Sequence, residues 1–277
     1  MPAFKNILLP VDFSSNTELA VNKAIDFADA GGADVHLLHV VRSKRHWNEP
    51  HVNEISQLEQ LSKLLHFTSQ NVRVDAQIVS SHSFENAIVE KANDIHPDLI
   101  IIAKNSNRKF FPIKKKIFPG HLAKKSRCAV LTAKPGSLDN KIKSIVIPVR
   151  SNIPKRKLEL LVPLAWKKNI TVYLVSMLNK LNGFADYDAS LSHTLIETFR
   201  LLKGEVNCQV FHEIISGQNI ARTALRFAKL VDADILLTNP EEIKISDFSG
   251  LDISDMLMRD SKLQVLTIEA ENTLKIM

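Results

Sequence analysis

A chain of 277 residues with 45% hydrophobic and 24% charged residues has the composition of folded globular material, which excludes disorder as its main character. No apolar run reaches the ~20 residues of a membrane-spanning helix, no basic stretch followed by an apolar one opens the chain, and the two cysteines, Cys128 and Cys208, lack metal-ligand spacing. These features predict a cytoplasmic protein without membrane insertion, its thiols acting as small hydrophobes, and its net charge of +6 points to an anionic partner if any charge-led one exists.

The first predicted strand is the β-branched and apolar run Ile7 to Val11, closed by Asp12. Ser15-Asn16-Thr17-Glu18 has capping-box spacing, and Ala20, Val21, Ala24, Ile25 and Ala28 form an apolar stripe at helical spacing before Gly31-Gly32. Val35 to His39 predicts the second strand. Between Arg42 and Gln70 the pattern is irregular until Leu58, Leu61, Leu64 and Leu65 suggest a helix. Ile78 to Ser80 predicts the third strand, Phe84, Ala87, Ile88 and Ala92 a helix ending before Pro97, and Asp98 to Ile101 the fourth strand. Val130 to Thr132 predicts the fifth. Pro135-Gly136-Ser137 and Asp139-Asn140 then supply turn chemistry for a linker.

The same series then starts again. Ile7-Leu8-Leu9-Pro10-Val11 is answered 138 positions on by Ile145-Val146-Ile147-Pro148-Val149. Val35 to His39 is answered by Val172 to Ser176, Ile78-Val79-Ser80 by Ile214-Ile215-Ser216, and Asp98 to Ile101 by Asp234 to Leu237. Val130-Leu131-Thr132 is answered by Val265-Leu266-Thr267. Ile220, Thr223, Ala224 and Ala228 repeat the stripe of the third helix, and Leu191, Leu195, Ile196, Phe199 and Leu202 suggest a helix in the second irregular stretch. Matched segments in one order at a nearly constant offset mean an internal duplication. Apolar strands alternating with helices predict an α/β fold of right-handed βαβ units, with strands buried on both faces of a parallel sheet. The expected domains are residues 1–136 and 142–277, with 137–141 as linker.

Ligands of such sheets bind beyond the carboxyl ends of the strands, where strand order reverses. The residues placed there in the first copy are Pro10 and Asp12, Val40, and Ala103 to Ser106. Asp12 could accept hydrogen bonds from a ribose or an adenine amine, or could serve as a turn residue or helix cap before Ser14-Ser15. Its counterpart in the second copy is Arg150.

The basic residues are concentrated in one segment. Leu99 to Leu138 contains no Asp or Glu, while Lys104, Arg108, Lys109, Lys114, Lys115 and Lys116 precede Lys124 and Lys125. This Lys104–Lys125 loop could neutralise a polyanion, with Phe110 and Phe111 as a stacking platform. It reads equally as a solvated loop anchored by those two rings. No metal site is expected: no histidine pair has i, i+4 spacing with a third ligand, and His46 and His51 flank Trp47 in a predicted loop. Ser14-Ser15 near His39 could suggest nucleophilic catalysis, but no glycine elbow or orienting acid supports it. No catalytic residue is assigned, and an enzyme is not expected.

Ile7 to Asp12, Leu37 to Val41 and the strand–loop–helix–strand ending at Ala133 resemble the universal stress protein family. The order of elements agrees along nearly the whole of both copies. The resemblance implies a doubly wound, five-stranded parallel sheet of order 3-2-1-4-5 in each tandem copy. It also implies pairing of copies through their last strands, Ala129 to Ala133 and Val265 to Ile268, as a pseudo-dimer. Members that bind ATP carry a glycine loop, G-x2-G-x9-G-[ST], after the fourth strand. Laid on this chain, its positions fall on Ala103, Ser106, Lys116 and Ile117. None is a glycine, so the close backbone approach to phosphates is lost. In the second copy the loop reads Asn239-Pro240-Glu241-Glu242, which places carboxylates where phosphates would lie. The resemblance therefore implies a non-enzymatic stress-response protein that acts through a protein or small-molecule partner, without ATP and without a cofactor. Nucleotide binding through Asp12, or polyanion binding through the basic loop, stands as the alternative, and nucleic acid is not the expected partner.

Overall fold

The computed structural model describes residues 4–28, 32–42, 52–68, 72–104, 117–138, 141–165, 169–179, 189–243 and 252–269. In chain order the first half is β1 (Asn6–Val11), α1 (Ser15–Ala28), β2 (Ala33–Arg42), α2 (Val52–Thr68), β3 (Val72–Ser81), α3 (Phe84–Ile95), β4 (Leu99–Ala103), α4 (Pro119–Ser126) and β5 (Ala129–Ala133). The second half repeats it as β6 (Ser144–Pro148), α5 (Lys155–Ala165), β7 (Thr171–Asn179), α6 (Ala189–Glu205), β8 (Gln209–Gly217), α7 (Ile220–Leu230), β9 (Ile235–Thr238), α8 (Ile253–Met256) and β10 (Gln264–Thr267).

All ten strands belong to one sheet of order β3-β2-β1-β4-β5-β10-β9-β6-β7-β8. The first half has the expected order 3-2-1-4-5, and the second half has the same order reversed. Among the described residues every pairing is parallel except one. β5 and β10 run antiparallel, with Thr132 opposite Val265, Leu131 opposite Leu266 and Val130 opposite Thr267.

The central strands are apolar because helices cover both of their faces: Ile7, Leu8, Leu9, Leu99, Ile100, Ile101, Ile145, Val146 and Ile147 are fully buried. β3 and β8 depart from the expected double burial. They form the outer edges, run to ten and nine residues, and bury one residue each, Val72 and Val210, the rest being half-buried or exposed. Polar residues such as Arg73, Asp75 and Gln77 extend them beyond their apolar ends, as edge strands tolerate.

Helix starts follow local chemistry. Ser83 caps α3 by accepting from the Asn86 N–H, and Asn219 caps α7 by accepting from the Arg222 N–H. The capping box expected at Ser15 does not form. Ser14 caps α1 instead, its carbonyl accepting from Thr17 N–H at 2.9 Å and its hydroxyl from Asn16 N–H at 3.2 Å. The cap sits one residue early because Asp12 holds the Ser14 N–H at 3.1 Å and Phe13 turns the chain through a left-handed conformation, φ 57°.

The two faces of the sheet are covered differently at the junction of the halves. On the face bearing α1 and α5, one apolar cluster runs unbroken from Ile7 and Leu131 to Leu266 and Ile147. On the other face the apolar residues form two clusters, one per half. Between them stand Thr132 and Thr267, each opposite a valine of the partner strand, with Thr238 beside Thr267. All three hydroxyls are buried and make no hydrogen bond among the described residues.

Polar clasps flank this strip. Lys104, just past β4, donates to Ser254 Oγ at 3.0 Å and lies 3.4 Å from Asp255 and 3.8 Å from Asp252 of α8. Asp252 and Asp255 cap α8 reciprocally in a capping box. Past β5, the Gly136 N–H donates to Arg259 O at 3.0 Å, and a Cβ on Gly136 would overlap the backbone carbonyl of Asp260. Gly136→Ala is therefore expected to destabilise the fold by about 1–3 kcal/mol, the usual cost of forced overpacking, as measured by urea unfolding. Substitution at exposed Gly204, where a Cβ meets nothing within 4 Å, supplies the control.

Lys134 is fully buried beside these clasps. Burial, with repulsion from Lys104, lowers its pKa from 10.5 to about 8, against the opposing pull of Asp255 and Asp252. The folded chain thus releases this proton before the unfolded chain does, so between about pH 8 and 10.5 the unfolded state binds more protons and stability rises with pH. Lys134→Met is expected to remove that rise, seen as a flatter dependence of unfolding free energy across this window.

Candidate functional site

Each half has one point where the chain winds off in opposite directions from neighbouring strands, between β1 and β4 and between β6 and β9. There the strands pair over only two residues, Ile7 with Leu99 and Leu8 with Ile100, then Ile145 with Ile235 and Val146 with Leu236. The carboxyl ends beyond are free to splay, which is how such sheets open a ligand crevice.

In the first half the crevice is edged by Pro10, Asp12, Val40 and Ala103. Val40 is buried, Pro10 and Ala103 are half-buried, and Asp12 is exposed. Asp12 serves its own turn: Oδ1 accepts from the Ser14 hydroxyl at 2.6 Å, the Ser14 N–H at 3.1 Å and the Thr17 hydroxyl at 3.3 Å. Two residues outside the expected ligand set complete the rim. His39 bonds through Nδ1 to Val11 O at 2.9 Å, and Phe13 packs on its ring, centroids 4.4 Å apart. Since a carbonyl only accepts, Nδ1 carries the proton and Nε2 is left as an acceptor. The reversed backbone at Phe13 is the local signal, invisible in composition because only glycine advertises a left-handed turn. Ser106, Arg108, Lys109, Lys114, Lys115 and Lys116 lie outside the described residues, as do His46 and His51. Lys104 is described, and its ammonium turns toward α8 rather than toward the crevice.

The second crevice is built differently. Ser176 replaces His39, its hydroxyl donating to Val149 O at 2.9 Å. A cavity of about 320 Å³ opens over Pro148, Arg150, Lys155, Asn239 and Glu241, with Lys157 and Glu242 in its wall. The first turn of α5 reads Lys155-Arg156-Lys157 with no acidic residue, so three cations stand at the positive end of a helix dipole, an unfavourable arrangement alone. Glu242 compensates. Lys157 and Glu242 are only 1% and 3% exposed, and their ammonium and carboxylate meet at 2.5 Å. Lys157 also donates to Pro148 O at 2.8 Å. Burial pushes its pKa down, and Glu242 pulls it back. Lys157 was invisible as a site residue in the sequence, because a lysine in a helix reads as a solvated one; the extra Glu242 after the fourth strand was the signal.

No group of three or more His, Cys, Asp or Glu among the described residues could hold a metal, and no helix among them is long and apolar enough to cross a membrane. Cys128 is buried, and burial pushes its thiol well above the usual range, which leaves it unreactive.

The comparisons with known proteins agree with this geometry. Residues 3–134 match the model of the universal stress protein family. That match lies within the first half and supports this family there, and the second half repeats the same order of elements. A universal stress protein from Archaeoglobus fulgidus superposes with a TM-score of 0.68 at 14% identity, covering 97% of each chain. A putative universal stress protein from Pseudomonas aeruginosa superposes at 0.58 with 18% identity, over 97% of this chain and 94% of the other. The cytoplasmic domain of a prokaryotic cation chloride cotransporter superposes at 0.53 with 16% identity, over 96% and 95%. At such identities the likeness shows the fold alone, and that fold serves more than one role. No curated protein matches the sequence.

Breaking the buried pair on one side strands a charge in a dry site. Lys157→Met is expected to cost about 3–5 kcal/mol by urea unfolding, and the double replacement Lys157→Met with Glu242→Leu to recover most of that loss.

Proposed function

We propose that this protein is a non-enzymatic stress-response protein of the universal stress type, a binding module that works without ATP. The observation that carries this reading is that one carboxylate at each strand-order reversal is committed to the chain itself. Asp12 closes the turn into α1, and Glu242 pairs with buried Lys157. In sequence neither loop carries the family's glycine spacing: Ala103, Ser106, Lys116 and Ile117 stand at its positions in the first copy, and the second begins Asn239-Pro240-Glu241-Glu242. On this reading residues 1–136 and 142–277 act as one fused unit in the cytoplasm, and the partner is a protein or a small molecule.

A second reading is favoured by one feature of the first half. Phe13 is held at φ 57° against His39, a strained arrangement of the kind that functional sites retain. The ring face and the His39 Nε2 acceptor would suit a nucleobase, with Asp12 beside it for a ribose or an amine. Polyanion binding through the Lys104–Lys125 loop has less support, since Lys104 is held by α8 and Lys125 by Glu85 at 2.9 Å.

Native mass spectrometry of the purified protein, followed by thermal-shift titration with ATP, AMP and polyphosphate, separates these readings. The expected result is no retained nucleotide and no shift with ATP. A shift with ATP or AMP that Asp12→Ala abolishes would replace the first reading by the second. A shift with polyphosphate that fades steeply with salt would move the function to the basic loop.

A further inference from the structure

The second crevice contains what receives an oxyanion: a backbone N–H, a buried ammonium and the positive end of a helix. Glu242 engages the N–H and the ammonium as an anion would. Its Oε2 accepts from the Asn239 N–H at 3.0 Å and from Lys157 Nζ at 2.5 Å. A turn in which Glu242 N–H donates to Asn239 O at 3.0 Å folds the side chain back onto that N–H. The carboxylate is nearly water-free, and it forms part of the wall of a cavity of about 320 Å³ that a small solute can enter. The cationic surroundings are not exhausted by it, because Arg150, Lys155 and Arg156 line the same cavity. Arg156 reaches Glu269 only at 3.9 Å, and Glu241 is the other carboxylate present.

We infer that Glu242 is a tethered ligand: its carboxylate fills an oxyanion receptor made by the Asn239 N–H and by Lys157 in the first turn of α5, and a small carboxylate or inorganic phosphate takes its place when it is removed. Truncation to alanine deletes a CH₂ and a carboxylate, the size of acetate, and leaves Lys157 facing a space continuous with the cavity. This inference concerns the second half alone and does not depend on whether the first half binds a nucleotide.

The test is thermal unfolding of wild type, Glu242→Ala and the double variant Lys157→Met/Glu242→Ala at constant ionic strength, in chloride, acetate or phosphate. Glu242→Ala should melt lower than wild type in chloride and recover by about 3 °C or more in saturable fashion with acetate or phosphate. Wild type and the double variant should not respond beyond the chloride control. Should Glu242→Ala fail to fold, its refolding yield from urea in acetate against chloride reads the same receptor. Equal responses in all three proteins, or no recovery of Glu242→Ala in either anion by melting or refolding, would overturn the inference. Recovery that survives loss of Lys157 would overturn it too.

Discussion

The antiparallel pairing of β5 with β10 is the interaction on which the rest of the molecule depends. A five-stranded sheet of order 3-2-1-4-5 leaves its last strand at an edge with half of its backbone groups unsatisfied. Here the last strand of each half supplies the partner for the other, so neither faces water. Because the join is made of backbone hydrogen bonds, it sets the position of everything attached to it. α4 approaches Pro240 and Ile243 so closely that Gly120 has no room for a larger side chain without movement of Ile243. Lys104 comes within reach of α8, and Gly136 lies flat against Asp260. The side chains above the join make it tight on one face and polar on the other, since Leu131 meets Leu266 below while Thr132 and Thr267 each face a valine above.

With the halves locked in one sheet, their crevices have diverged. The first keeps an exposed carboxylate, an aromatic pair and a histidine acceptor at its rim, all positioned by the sharp turn at Phe13. The second has exchanged those groups for a dry ion pair at the base of a strongly cationic helix start. The pairing of Lys157 with Glu242 spans 85 residues and ties α5 to the loop after β9. It therefore braces the crevice as well as filling it.

Much of this was legible in the residues. The repeat of Ile7–Val11 in Ile145–Val149 fixed the duplication, and the apolar runs at Leu99 and Ile235 fixed the central strands, because burial on two faces leaves no other composition. The edge strands were underestimated, since Arg73 and Asp75 are compatible with a strand only once its outer side is known to face water. The start of α1 was misplaced by one residue because Asp12 holds the Ser14 N–H and hydroxyl, which makes Ser14 and not Ser15 the cap. At the sites, the position of Asp12 and the two extra carboxylates after β9 could be read directly. Lys157, Lys134 and His39 could not, because what distinguishes them is a partner far away in the chain or the burial that packing imposes.

The charges at the join make it a junction between unlike surfaces. A two-fold homodimer must be self-complementary, so that each contact occurs twice with its roles exchanged. The contact of Lys104 with Asp252 and Asp255 occurs once, for the corresponding helix start in the first half is Phe118-Pro119-Gly120-His121 and offers no carboxylate. Two first halves brought together would set Lys104 against a helix start without a carboxylate, and two second halves would leave Asp252 and Asp255 without Lys104. Fusion thus removed the demand for symmetry, and the two halves have become specific for one another in the manner of a lock cut for a single key.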